Sequence, residues 1–242
     1  MGYIENPKTK GSGILCCIPQ TGRCPKDCKD CFFQGGRSYL EPLDENLPNM
    51  PSLEEAKNRI IRINDGNDSN IDRDNVIARS KVYSHKFYNT SIPHNLAGFD
   101  APVVLTVNGG ILTDSGYHRL PKIPENLMYV RVRTNMWNLD SVVNPAVDYY
   151  SGEGVPVVLT FMAYFTQPIP EQHKDDYIFR KRTLNEYWAI TTNAWRRVMA
   201  RYEDNMYVYS CGKIEGEKGG AGCPRCGNCI REYFNTLERM RK

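Results

Sequence analysis

The sequence predicts an α/β fold: a partial (β/α)6-type barrel with mostly parallel strands and a short cysteine-rich extension at its carboxyl end. Short apolar runs alternate with helical segments along the chain, and this order is typical of right-handed βαβ units. Several runs alternate apolar and polar residues, which favours a barrel with a polar interior over a doubly wound sheet. The nine cysteines gather towards both ends, with none between Cys31 and Cys211.

Strands are predicted from apolar and alternating runs. The run at 103–107 is apolar apart from one threonine and stops at an Asn-Gly-Gly turn, as expected of a buried strand. In a second run, Val130 and Val132 are expected to pack on outer helices while Arg131 and Arg133 point into the barrel. Strands are expected at 14–18, 60–64, 87–89, 103–107, 128–133, 155–161 and 206–209.

Helices are predicted where a capping signal precedes helical periodicity. Ser52 and Glu55 have the spacing of a capping box, and so do Thr183 and Glu186. Pro145 follows an asparagine, which is typical of the first turn of a helix. Helices are expected at 53–59, 72–83, from 145 onwards, at 184–202 and at 231–240.

Length and composition limit the class of protein. The 242 residues suit one barrel over 1–210 and an extension over 211–242. The aromatic content of 11% and the lack of low-complexity runs exclude intrinsic disorder. No apolar run is long enough to span a membrane, so no membrane partner is expected. The balance of 31 basic and 28 acidic residues gives no strong nucleic-acid signal. No leader is visible at the start, so a cytoplasmic location is expected.

Three cysteines form a compact motif directly after the first predicted strand. Cys24, Cys28 and Cys31 have the spacing C-x3-C-x2-C. Three such thiolates can hold three irons of a 4Fe–4S cube and leave the fourth iron open for a small ligand. Zinc is the alternative, but it normally takes four ligands in C-x2-C pairs, and no partner pair lies nearby.

This motif resembles the signature of the radical S-adenosylmethionine (SAM) superfamily, which lies on the first βα loop of a partial barrel. The resemblance implies that SAM chelates the open iron and is reductively cleaved to a 5′-deoxyadenosyl radical. That radical abstracts hydrogen from a substrate, which the sequence does not identify. The resemblance further implies an oxidoreductase-type enzyme that takes electrons from a low-potential donor such as flavodoxin or ferredoxin.

A second segment resembles the SAM-binding turn of that family. The predicted strand at 60–64 leads into Gly66-Asn67-Asp68-Ser69, where the family has a Gly-Gly-Glu-type turn that receives the methionine amino group. A glycine lets the backbone approach a ligand closely, and the Asp68 carboxylate suits an ammonium group. Asn67 stands where the family has a glycine, and an ordinary turn is the alternative interpretation.

Further residues complete the predicted SAM contacts. Asp30 precedes the third cysteine of the motif, where the family usually has an aromatic residue, and its backbone is expected to contact adenine. Arg133 and Asn135 follow a predicted strand at the end where βα barrels hold their active sites. They are expected to contact the SAM carboxylate or ribose. No catalytic residue can be singled out.

The second group of cysteines is Cys211, Cys223, Cys226 and Cys229. The last three have ferredoxin-type spacing, and Cys211 ends the last predicted strand, so it can act as a fourth ligand. This group resembles the auxiliary 4Fe–4S cluster that follows the barrel in many radical SAM enzymes. Zinc remains the alternative, because the stretch that starts at Cys223 also resembles a zinc-ribbon knuckle.

Two other functions remain open at this stage. A glycyl-radical-enzyme activase has a similar size and the same cysteine triad, and its partner is a large protein. A non-catalytic protein would hold zinc at both sites or would only transfer electrons. The open iron discriminates these classes, because an electron carrier should have four ligands for each cluster.

Overall fold

The structure is a computed structural model that describes residues 2–26, 28, 31, 33, 38–108, 119–165, 168–181, 186–215 and 222–241. The strands described within these ranges are β1 Ile14–Cys17, β2 Ile60–Ile63, β3 Lys86–Thr90, β4 Val103–Val107, β5 Leu127–Thr134, β6 Val157–Phe161, β7 Tyr177–Lys181, β8 Glu186–Ile190 and β9 Val208–Cys211. The α-helices are α1 Leu53–Ala56, α2 Arg73–Ser80, α3 Asn144–Gly152, α4 Thr192–Ala200, α5 Cys223–Cys226 and α6 Asn228–Met240.

Seven of the described strands form one open, curled sheet with the order β1-β2-β3-β4-β5-β6-β9. Every neighbouring pair in this sheet is parallel, and the curled sheet forms a half-barrel with helices packed on it. The predicted α/β class and the predominance of parallel strands are confirmed. Strands β7 and β8 form a separate antiparallel hairpin that the sequence patterns did not predict.

Local signals explain the first helix. Ser52 caps α1 and forms the predicted capping box, in which Glu55 N donates to Ser52 Oγ at 3.2 Å and Ser52 N donates to Glu55 Oε2 at 2.7 Å. The helix ends at Ala56 rather than at residue 59. Lys57 already has an extended ψ of 126°, and Asn58 has a left-handed φ of 59°, so neither residue continues the helix.

The predicted helix over 184–202 is wrong in its first half. Residues Glu186–Ile190 form β8, and α4 begins only after Thr191, whose hydroxyl caps it. Trp188 exchanges backbone hydrogen bonds of 2.8 and 3.0 Å with Tyr164. These partners are distant in sequence, so the helical spacing of apolar residues in this window could not reveal their pairing.

The two faces of the half-barrel bury different sets of side chains. On the convex face, Val130 and Val132 pack in one apolar core with residues of α2 and α3, as predicted. On the concave face, a second apolar core joins α6 to residues that all lie within the first three positions of their strands. Helix α6 therefore covers the amino-terminal end of the concave face. The strand residues of this second core are Ile14, Ile60, Phe87, Val104, Met128, Tyr129 and Val158.

The segment after residue 210 packs closely on the half-barrel. The predicted division between residues 210 and 211 stays a prediction, and it falls within β9. Asn228 Nδ2 donates to Ser210 O at 2.9 Å, and Arg239 Nη2 donates to Leu127 O at 2.9 Å, so both ends of α6 are fastened to strands. Among the described residues, no helix combines the length and apolar character needed to cross a membrane.

Candidate functional site

The cysteine triad lies in the loop that follows β1, at the carboxyl end of the sheet. Cys24, Cys28 and Cys31 are each partly buried. The backbone links the last two, because Cys31 N donates to Cys28 O at 2.9 Å. Burial, together with the nearby thiols of Cys31 and Cys24, raises the pKa of Cys28 to about 11. The three thiols are therefore close enough to interact electrostatically, as ligands of one metal group should be.

The loop that follows β2 lies beside this triad. Gln20 Nε2 donates to the carbonyl oxygens of Asp68 at 2.9 Å and Ile71 at 3.0 Å, which ties the two loops together. The Phe33 ring covers Gly66 so closely that a Cβ atom there would overlap it, so this contact requires glycine. The structure thus brings the triad next to the segment that the sequence predicts to bind SAM.

Asp68 is buried, and its carboxylate accepts four hydrogen bonds from neighbouring residues. Oδ1 accepts from Asn70 N at 2.9 Å and Thr90 Oγ1 at 2.6 Å. Oδ2 accepts from Ser91 N at 2.7 Å and Ser91 Oγ at 2.8 Å. A carboxylate has about four acceptor positions, so these bonds use all of them and fasten the loop after β2 to the end of β3. Its role towards the SAM ammonium stays a prediction.

Replacing Asp68 with alanine is expected to lower the free energy of unfolding by about 3 kcal/mol, because buried donors lose their acceptor. For a chain of this length, the melting temperature should fall by roughly 6–12 °C, which differential scanning calorimetry can measure. The exposed Asp204 provides a matched control, and Asp204→Ala should change stability by less than about 0.5 kcal/mol. Equal melting temperatures for the two variants would contradict this structural role.

The other predicted SAM contacts occupy two places in the structure. Asn67 Oδ1 accepts from the backbone N of the next residue at 2.8 Å, and the hydroxyl of buried Ser69 accepts from Asn64 Nδ2 at 3.1 Å. Both side chains therefore support the shape of the loop after β2. Asp30 lies outside the described residues, so its predicted adenine contact stays a prediction.

Arg133 and Asn135 lie at the carboxyl end of β5. Asn135 is buried, and its Nδ2 donates to Tyr164 OH at 3.0 Å. Arg133 is in register with Thr160 of β6, which is in register with Cys211 of β9. The strand register therefore aligns a predicted SAM contact with a predicted metal ligand on the same face of the sheet.

The C-terminal cysteines converge on the concave face. Cys211 ends β9, Cys223 and Cys226 are the first and last residues of α5, and Cys229 lies in the first turn of α6. Gly227 separates the two helices with a left-handed φ of 67°, which lets the chain turn between them. Cysteines that are far apart in sequence are thus brought to neighbouring elements at this face of the sheet.

These thiols interact strongly with one another. A hydrogen bond between Cys211 and Cys226 lowers the pKa of Cys226 to about 6 and raises the pKa of Cys211, so the two thiols titrate together. Burial raises the pKa of Cys223, and the charges of Cys229 and Cys226 contribute to that rise. Within the described ranges, no group of three or more histidine, cysteine, aspartate or glutamate side chains is arranged to hold a metal ion.

The donor chemistry nevertheless fits an iron–sulfur or zinc site, because all four groups are thiols. A buried cation also faces this group: Arg62 of β2 interacts electrostatically with Cys223 and Cys229. Its Nη2 donates to Asp65 Oδ1 at 2.5 Å and to Cys16 Sγ at 3.2 Å. Its buried Nε has no hydrogen-bond partner among the described residues, which suits a site that is completed by an anionic group.

Sequence reasoning missed two residues of these sites. Tyr129 OH lies 3.1 Å from Cys229 Sγ. Its position two residues before the inward-pointing Arg131 indicates that it lies on the concave face, and this signal was present in the sequence. Gln20 joins the two loops at the triad, and no local pattern marks it.

Comparison with known proteins finds no matching family model, no matching curated sequence and no matching solved structure.

Proposed function

We propose that this chain is a radical SAM enzyme, in which Cys24, Cys28 and Cys31 hold a 4Fe–4S cluster that binds SAM. When bound, the cluster and SAM supply a 5′-deoxyadenosyl radical that abstracts hydrogen from a substrate. The observation that carries this proposal is the contact between the triad loop and the loop after β2, made by Gln20 and Phe33. Both loops follow strands of a parallel sheet, and such sheets bind ligands at the carboxyl ends of their strands.

The chain's own residues would orient the ligand in this proposal. Asp68 fixes the loop after β2 through its bonds to Thr90 and Ser91, so the backbone around Gly66 has one defined path. Arg133 adds a positive charge near the same end of the sheet, where it would suit the SAM carboxylate. Helix α6 covers the opposite, amino-terminal end of the concave face with apolar side chains.

We further propose that Cys211, Cys223, Cys226 and Cys229 hold a second, auxiliary 4Fe–4S cluster, with zinc as the competing metal. The mutual interaction of the four thiols supports this proposal, and so does the alignment of Cys211 with Arg133 across the sheet. All nine cysteines are free thiols. This redox state suits the cytoplasm, where a flavodoxin or ferredoxin would supply the electron.

Anaerobic reconstitution with iron and sulfide tests the proposal. The protein is expected to bind about eight irons, the number in two cubes, and to form 5′-deoxyadenosine from SAM when dithionite is added. Mass spectrometry of the nucleoside and metal analysis of the protein are the measurements, and a reaction without dithionite is the control. Binding of about four irons and one zinc would support the SAM-binding cluster and would assign zinc, not an auxiliary cluster, to the C-terminal site. Zinc at both sites and no 5′-deoxyadenosine would favour the non-catalytic protein instead.

A further inference from the structure

A network of side-chain hydrogen bonds on the concave face of β5 ends at one of the C-terminal thiols. Arg131 Nη2 donates to Tyr129 OH at 3.0 Å, and Tyr129 OH lies 3.1 Å from Cys229 Sγ. The same Nη2 donates to Asn89 Oδ1 at 3.2 Å. Tyr129 and Arg131 are two residues apart on one strand, so both side chains point to the concave face. Cys229 belongs to α6, so this hydrogen-bond network joins the half-barrel to the helix that covers it.

The chemistry of the groups determines the direction of these bonds. A guanidinium group has donors and no acceptor, so the Tyr129 oxygen must accept the bond from Arg131. The phenol keeps one proton to donate, and Cys229 Sγ can only accept it when this sulfur is a metal-bound thiolate without a proton of its own. Tyr129 therefore delivers a hydrogen bond to the sulfur, and the positive charge of Arg131 polarises that bond.

Arg131 is a partly buried cation with an unusual set of neighbours. Its hydrogen-bond acceptors among the described residues are the neutral Asn89 and Tyr129, with no carboxylate. Arg62, which lies on the same face, is paired with Asp65. A buried charge is costly without a nearby opposite charge. Cysteine thiolates can provide that opposite charge for Arg131, and Cys229 and Cys211 are within its electrostatic range.

We infer that Tyr129 and Arg131 are positioning residues of the C-terminal metal site, in which Tyr129, held by Arg131, hydrogen-bonds to Cys229 Sγ and the pair raises the reduction potential of the cluster held there. This inference rests on the proposed function, because it requires an iron–sulfur cluster at that site. Hydrogen bonds to cluster sulfurs and nearby positive charge favour the reduced cluster, which carries one more negative charge.

Removing the Tyr129 hydroxyl tests the inference in the full-length chain. The variant Tyr129→Phe is made in a protein whose Cys24, Cys28 and Cys31 are replaced by alanine, so that only the second cluster remains. A dithionite titration followed by electron paramagnetic resonance measures its potential. The potential is expected to become more negative, with a tenfold lower ratio of reduced to oxidised cluster at a given potential. For a one-electron couple this change is about 59 mV.

Tyr209 provides the matched control. Its side chain packs in the concave-face core beside the cysteines, and its hydroxyl forms no hydrogen bond with the described residues. Tyr209→Phe should therefore leave the potential unchanged. Arg131→Gln should shift the potential in the same direction as Tyr129→Phe, and Arg131→Lys should restore most of it by keeping the charge. Because Arg131 acts through Tyr129, Arg131→Gln should have a smaller effect when Tyr129→Phe is already present.

The possible outcomes separate the inference from the proposed function. An unchanged potential in Tyr129→Phe, with full iron content, overturns the inference and leaves the second cluster standing. Equal shifts for Arg131→Gln in both backgrounds also overturn it. If the C-terminal site of the unaltered protein contains zinc and no iron, the auxiliary cluster and the inference both fail. If Tyr129→Phe keeps its melting temperature but loses iron to a chelator 10- to 100-fold more readily, the role of the Tyr129 hydrogen bond in holding the cluster ligand is supported.

Discussion

The variant Cys28→Ala should form no 5′-deoxyadenosine above background when it is incubated with SAM and dithionite. The proposed cluster has three protein ligands in this loop, and removing one leaves two sulfurs to hold the cube. Cys28 is only partly buried in a loop, so the fold should survive the substitution. The measurement is mass spectrometry of the nucleoside, together with the iron content of the purified variant.

Cys17 is the matched control for this loss of activity. It is a buried cysteine of β1 that packs in the convex-face core, away from the loop that carries the triad. Cys17→Ala should keep the cleavage of SAM at a near-normal rate, although its cavity will cost some stability. Continued cleavage by a protein that lacks all three thiols of the triad would contradict the assignment of the SAM site.

The variant Tyr233→Ala should lower the free energy of unfolding by about 3–5 kcal/mol, because a large buried aromatic side chain leaves a cavity. Tyr233 of α6 is 2% exposed in the concave-face core, where its ring packs against Phe87. Chemical denaturation followed by circular dichroism measures the effect. Because Cys229 lies on the same helix, the variant should also release metal from the C-terminal site more readily.

The next residue of α6 supplies the control. Phe234 is 52% exposed, so Phe234→Ala removes an aromatic ring of nearly the same size from the solvent side of the helix. Its effect on the free energy of unfolding should stay below about 0.5 kcal/mol. Similar losses for the two variants would contradict the position of α6 on the concave face.

Much of the half-barrel could be predicted because its signals are local. The alternation of valine and arginine in β5 correctly predicts that Val130 and Val132 face the outer helices. The capping box of α1 is also correctly read from Ser52 and Glu55, since both partners lie within one helical turn. Such short-range patterns decide which segments become strands and helices, and in which direction each side chain points.

The contacts that complete the candidate site depend on residues far apart in sequence. The local sequence suggests that the Asp68 carboxylate is free to bind a ligand. In the structure, Thr90 and Ser91, more than twenty residues away, donate hydrogen bonds to it. Strand β8 pairs with β7 in a region whose apolar spacing also fits a helix. Tertiary pairing overrides local periodicity in this region, and the spacing of residues within one segment does not reveal its partner.

The position of α6 sets an order of events during synthesis of the chain. The helix contacts residues that emerge from the ribosome much earlier: Tyr233 lies 148 positions after His85, and Arg239 lies 112 positions after Leu127. Until α6 is made, apolar residues such as Phe87 and Met128 have no cover on the concave face. Contacts this distant in sequence form slowly, and the exposed apolar surface makes the nascent half-barrel prone to aggregation. The growing chain therefore keeps this apolar surface exposed until α6 docks on the concave face.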